Sequence, residues 1–205
     1  MNDTLDDALE RLRGGGTEVA GSVAPNHGPM AAEALVALGY GDLVAAWAER
    51  YRRKLDVMPA SRSPIAAEGG AEALGAVNRF ADWVEFFRAR LAEAPWQTVF
   101  SEWISRLLPA TPSAGGHGFL RTAHAIRALS QAETPLRVEE LGAALAYWAA
   151  YYRKLPGTPR LTGTFDLGDA LRRVPPFLRG QARSGPPRDV YLGVMQSHGR
   201  NSRRR

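Results

Sequence analysis

Three of the four histidines in this 205-residue chain lie in a block that occurs twice. The first copy reads Asn26-His27-Gly28-Pro29-Met30, then a helical run to Leu38, then Trp47, Tyr51, Arg53, Lys54, Leu55 and Pro59. The second reads Gly116-His117-Gly118-Phe119-Leu120, then a run carrying His124, then Tyr147, Trp148, Tyr151, Arg153, Lys154, Leu155 and Pro159. The ends of the copies align at an offset of 100 and the His-Gly pairs at 90, so the second copy has the longer loop. Two related helical hairpins packed about a pseudo-twofold axis would bring His27 and His117, each just before a helix, to comparable positions. Histidines placed this way can line one site between the two units. Imidazole is a proton carrier near neutral pH and a common metal ligand, and backbone N–H groups at the two helix starts favour anions and oxyanions.

His117 and His124 are seven residues apart, two helical turns and roughly 10 Å of rise. A rigid helix presents two ligands to one metal at i,i+4, so convergence here requires His117 to lie outside the helix and fold back over its first turn. The Gly116-His117-Gly118 run allows that. His124, Arg121 and an extended His117 then share one stripe, with Phe119, Ala123 and Ile126 opposite. The competing reading is a solvated face whose histidines titrate without consequence. Glu33 is about 120° around its helix from His27, a weak candidate for a carboxylate ligand or base. His198 lies in the basic tail, away from the block.

The runs Asn26-His27-Gly28-Pro29-Met30-Ala31-Ala32-Glu33-Ala34-Leu35 and His117-Gly118-Phe119-Leu120-Arg121-Thr122-Ala123-His124-Ala125, with the Trp96 to Trp103 segment between them, resemble the questin oxidase-like family. The resemblance covers roughly residues 20 to 160, and its most specific part is the second run. It implies a mostly helical oxidoreductase acting on an aromatic, polyketide or anthraquinone-type substrate of secondary metabolism. It further implies a non-haem iron site with His27, His117 and His124 as the matching positions, where iron on neutral imidazoles with open positions could activate dioxygen. Family members are considerably longer, and this chain leaves the pattern near Leu155-Pro156. The alternative is therefore a catalytically incomplete helical fragment acting as a protein-interaction module. Such a fragment would expose apolar faces of the 71 to 94 or 137 to 155 helices and self-associate.

The elements that must hold these residues read as helices. Thr4 caps a first helix to Arg13, ended by Gly14-Gly15-Gly16. Pro29 opens a second, Gly39 to Gly41 ends it, and a third runs from Asp42 to about Leu55. Residues 56 to 70 read as loop. Leu74, Val77, Phe80, Val84, Phe87 and Leu91 predict a helix from Ala71 to Ala94, stopped by Pro95. Helices from Trp96 to Leu108, Phe119 to Ser130 and Arg137 to Leu155 follow. No alternating strand pattern appears over the first 155 residues, so the class is all-α: a bundle of two related hairpins plus intervening helices. Trp47, Tyr51, Tyr147, Trp148 and Tyr151 read first as core or rim aromatics, and Arg53-Lys54 and Arg153-Lys154 as cations complementing helix C-termini.

Charge divides the chain in two. Residues 1 to 159 carry a net −2 and residues 160 to 205 a net +7, giving +5 for the whole. That division predicts a helical domain over 1–159 and a disordered, basic, Pro/Gly-containing tail over 160–205. Without a reading helix or interleaved aromatics, the tail argues against specific nucleic-acid recognition. The absence of cysteine excludes disulfides and thiolate–metal sites. The acidic Asp3, Asp6 and Asp7 with no apolar stretch behind them argue against a signal peptide, and no run approaches transmembrane length, so the expectation is a cytoplasmic protein. No Gly-rich fingerprint follows a strand, so any NAD(P)H would be an external reductant.

Overall fold

The computed structural model describes residues 4–21, 24–66, 70–154 and 164–173. The chain divides into two units, Met1–Lys154 and Leu155–Arg205. In the first, α1 (Thr4–Leu12), α2 (Gly28–Ala37) and α3 (Gly41–Arg52) precede α4 (Phe80–Glu93), α5 (Trp96–Leu107), α6 (His117–Gln131) and α7 (Pro135–Ala150). A short antiparallel pair, β1 (Gly15–Val19) and β2 (Leu55–Val57), is the described β-structure. The fold is an all-α bundle. No helix among the described residues is long and apolar enough to cross a membrane.

α7 organises the packing. Thr134 caps it by accepting from the Arg137 amide at 3.3 Å, and Pro135 occupies its first turn, where a missing N–H costs nothing. Leu141, Gly142 and Ala144 through Ala150 are all buried, the pattern of a helix surrounded by protein rather than one with a single apolar stripe. It packs on α4, α6, α1 and α5. One core cluster gathers Trp83, Phe87, Trp103, Leu141, Leu145 and Trp148 from α4, α5 and α7. A second gathers Leu5, Leu9, Leu12, Val44 and Ala48 from α1 and α3, with Ala32 of α2 and Ala128 of α6.

Several sequence expectations are corrected. The Gly14-Gly15-Gly16 run ends α1 and then enters β1, whose partner strand is supplied from beyond α3; a three-residue partner is too short to show alternation. The helix expected from Ala71 begins at Phe80, because Gly75 takes a left-handed φ of 80° and Ala76 is extended, leaving two 3-10 turns in front of α4. The apolar faces of α4 and α7, expected to be uncovered in an incomplete domain, are buried. The large exposed apolar side chains include Leu38, Tyr40 and Leu43 around the α2–α3 connection.

Within the segment read as a disordered tail, α8 (Leu167–Arg172) forms a short helix, and the Arg173 guanidinium lies 3.7 Å from the Phe165 ring centroid. The rest of the tail expectation, His198 included, falls outside the described residues.

The long connection before α4 is fastened by a buried carboxylate. Asp82 is 4% exposed and accepts from Ser61 Oγ and the Arg62 amide at 2.7 Å each, from the Ser63 amide at 3.2 Å, and from the Arg79 guanidinium. Burial pushes its carboxyl up, but these donors outweigh burial and hold it well below the ordinary carboxylate range. Asp82→Asn is expected to cost about 2 kcal/mol, the worth of one charged hydrogen-bonded centre. Hydrogen exchange should quicken first at the Arg62 and Ser63 amides; unchanged exchange there would detach Asp82 from this role.

Candidate functional site

His27 is positioned from three directions. Asn26, 3% exposed, donates through Nδ2 to the Gly16 carbonyl of β1 and accepts the Gly28 amide on Oδ1, both at 2.9 Å, and so ties the start of α2 to the strand. The His27 amide donates to Tyr51 Oη of α3 at 2.9 Å. The ring Nδ1 lies 2.7 Å from the Pro25 carbonyl. A carbonyl only accepts, so Nδ1 carries the proton and Nε2 of the neutral ring keeps its lone pair.

His117 has the same arrangement on α6. It is the first residue of that helix, at φ −61° and ψ −36°, and does not lie outside it as the sequence predicts. Three consecutive left-handed residues, Ala114, Gly115 and Gly116, turn the chain just before it. That turn aims the Ala114 carbonyl at His117 Nδ1, which donates to it. Ser113 holds the turn against the end of α7, accepting the Arg153 amide at 2.7 Å and donating to the Arg153 carbonyl at 3.0 Å.

The two Nε2 atoms face each other at 2.9 Å, the rings meeting edge to face with centroids 4.8 Å apart. Two lone pairs at that separation repel, so the contact is favourable only with a cation shared between them, a proton or a metal ion. Both histidines stand at helix starts, whose partial positive charge favours an anion beside that cation. His27 is exposed and His117 half-buried, so the pair is accessible from solvent.

His124 does not join them. Its Nδ1 donates to Glu33 Oε2 at 2.6 Å, and Glu33 also accepts from Arg127 Nε at 2.6 Å. The reason is the parallel course of α2 and α6. Their starts bring His27 to His117, and two turns later the same two faces bring Glu33 to His124. Among the described residues, no group of three or more His, Cys, Asp or Glu side chains is arranged to hold a metal ion. The expected three-histidine centre is therefore corrected to a pair, and Glu33 is the partner of His124 and Arg127.

Burial pushes Glu33 up, but the hydrogen bonds and charges of Arg127 and His124 outweigh it, so its carboxyl lies below the ordinary range. A depressed folded-state pKa contributes stability in full above the unfolded value of ~4.3 and loses it as pH falls through the lower folded value. The stability difference between wild type and Glu33→Gln should accordingly be largest near neutral pH and shrink below about pH 4. Urea unfolding at the two pH values checks this; a difference that grows in acid would contradict the sign.

One turn along α6 from His117, Arg121 reaches Glu140 on α7 through Nε at 2.6 Å and Nη2 at 2.8 Å. The two side chains are 7% and 12% exposed. Burial would lower the guanidinium pKa, but Glu140 overcomes that and raises it, with Tyr147 and Tyr51 contributing in the same sense. Compared with known protein families, curated proteins and solved structures, the chain matches none of them. The chemistry of the site must be read from its own atoms.

Two positions had weaker signals in the sequence. Tyr51, read as a rim aromatic, is a direct contact of His27. Asn26 was visible only as the residue before it, although asparagine ahead of a helix is a familiar capping signal.

Proposed function

We propose that this protein is an oxidoreductase acting on a small aromatic substrate, as the questin oxidase-like resemblance implies, and that His27 and His117 hold its iron. One observation supports the reading above others: two Nε2 lone pairs, each fixed by a carbonyl on the opposite ring nitrogen, converge at 2.9 Å. Nitrogens bound to one ion at about 2 Å each lie no more than about 4 Å apart, so this separation suits a shared ion. Carbonyl hydrogen bonds on the far nitrogen are also the usual way a metal-binding imidazole is oriented.

When bound, iron on two imidazoles would supply dioxygen activation at its remaining positions. The chain's own contribution is positioning. Asn26 and Tyr51 fix His27, and the Ala114 to Gly116 turn fixes His117. The two helix starts favour an anionic partner for the site. Any reductant would be external, and a cytoplasmic location goes with this reading.

Protein purified without a chelator from iron-supplemented cells should contain iron. His27→Ala and His117→Ala should each weaken iron binding by about tenfold or more, whereas His124→Ala should leave it unchanged. Wild-type protein that takes up no iron, or loss confined to His124→Ala, would leave the pair as a proton-sharing contact and remove the oxidoreductase reading.

A further inference from the structure

The duplicated block carries an aromatic stack in each copy, and the two stacks have different surroundings. Tyr147 of α7 and Tyr151, the residue just past its end, stack with centroids 4.4 Å apart; Tyr147 is 2% exposed and Tyr151 donates to Glu18 at 2.9 Å. That copy is absorbed by the core. Trp47 and Tyr51 of α3 stack in the same way, with centroids 4.9 Å apart and planes 22° from parallel. They stay half-buried and wall an open basin whose other lining residues are Arg50, Arg53 and Lys54.

The charge of this basin is one-sided, since three cations and no carboxylate line it. Arg53 shares Glu49 with Arg52 and Arg11. Arg50 and Lys54 form no side-chain ion pair or hydrogen bond among the described residues. Cations at a helix C-terminus are explained in part by the helix dipole, but that term does not account for an aromatic wall left open beside them. The wall also continues to the histidine pair, because Tyr51 Oη accepts the His27 amide at 2.9 Å.

We propose that the Trp47, Tyr51, Arg50, Lys54 basin binds a planar aromatic anion, an arene carboxylate or phenolate, lying against the Trp47–Tyr51 stack with its charge toward Arg50 and Lys54. The ring faces supply stacking, and the cations supply a preference for charge that neutral aromatics lack. This rests on the oxidoreductase reading only for what becomes of the bound molecule; binding itself requires no metal.

The test is a titration of the full ¹⁵N-labelled chain with 2-naphthoate in metal-depleted, low-salt buffer, following the Trp47 indole N–H signal, which is identified by its loss in Trp47→Phe. A saturable shift is expected. Binding should weaken by about fivefold or more for 2-naphthalenemethanol, which lacks the charge, for cyclohexanecarboxylate, which lacks the ring, and in Arg50→Gln/Lys54→Gln. The corresponding change in the other copy, Arg153→Gln/Lys154→Gln, should leave it unaltered. No saturable shift, equal binding of the three probes, or undiminished affinity in the Arg50/Lys54 variant overturns the proposal. AMP saturating the same Trp47 shift at lower concentration than 2-naphthoate would make this a nucleotide site instead, and overturn it too. Because no metal is present, failure here is distinct from failure of iron binding by the histidine pair.

Discussion

Arg121→Met should destabilise the protein by about 3–5 kcal/mol, because it leaves the carboxylate of Glu140 buried without its partner. Glu140→Met should cost a similar amount for the converse reason. The double replacement, Arg121→Met with Glu140→Met, should recover most of the loss, since two apolar side chains of similar length need no mutual neutralisation. The prediction follows from 7% and 12% exposure and from a two-pronged contact at 2.6 and 2.8 Å. Arg121 Nη1 is moreover buried without a hydrogen-bond partner, so the pair is incompletely satisfied even in the native state. Denaturant unfolding of the three variants forms a double-mutant cycle. A double variant no better than the worse single one would show that the pair specifies the fold rather than merely compensating its own burial.

Gly118→Ala should be destabilising even though alanine is favoured over glycine inside a helix by about 1 kcal/mol. A Cβ at Gly118 would lie 2.7 Å from Trp148 Cβ and Cγ and 2.8 Å from its Cα, so relief requires α6 and α7 to part. Overpacking of this kind costs roughly 1–3 kcal/mol, which at the upper end exceeds the propensity gain. Trp148 cannot retreat, being 1% exposed and donating to the Ala110 carbonyl at 3.2 Å. Because His117 is the preceding residue, separation of the helices also moves its ring from His27, and iron binding should fall in the same variant. Gly41→Ala is the control, since a Cβ there meets nothing closer than Thr4 Cγ2 at 3.8 Å. It should be neutral or stabilising by thermal unfolding. Equal effects at the two glycines would mean that α6 and α7 are not in this close contact.

Much of the helical framework was legible in the residues. Pro29 and Pro95 mark a helix start and a helix stop through a fixed φ and a missing donor, and α2 and α5 begin at or beside them. The periodic apolar positions of the α4 segment announced part of the core, Phe80 and Phe87 being buried. The block that repeats at offsets of 90 and 100 correctly singled out His27 and His117 as counterparts, each at the start of the first helix of a hairpin.

Other features depend on geometry that a linear pattern does not carry. A seven-residue interval left open whether His124 joined the other two histidines. The answer depended on α2 running parallel to α6, which brings the second turn of one helix to the second turn of the other and gives Glu33 to His124. Nor could spacing tell the two aromatic stacks apart, because they have the same i,i+4 relation and differ only in what packs over them. The β1–β2 pairing and the Asn26 anchor join segments separated by two helices or by a turn, and short pairings of that kind leave no period in the sequence. Local preferences and apolar periodicity thus determined roughly where most of the helices lie and part of the core. Only the tertiary structure decided which imidazoles meet and which aromatic face stays open, because those outcomes depend on the relative direction and contact of elements distant along the chain.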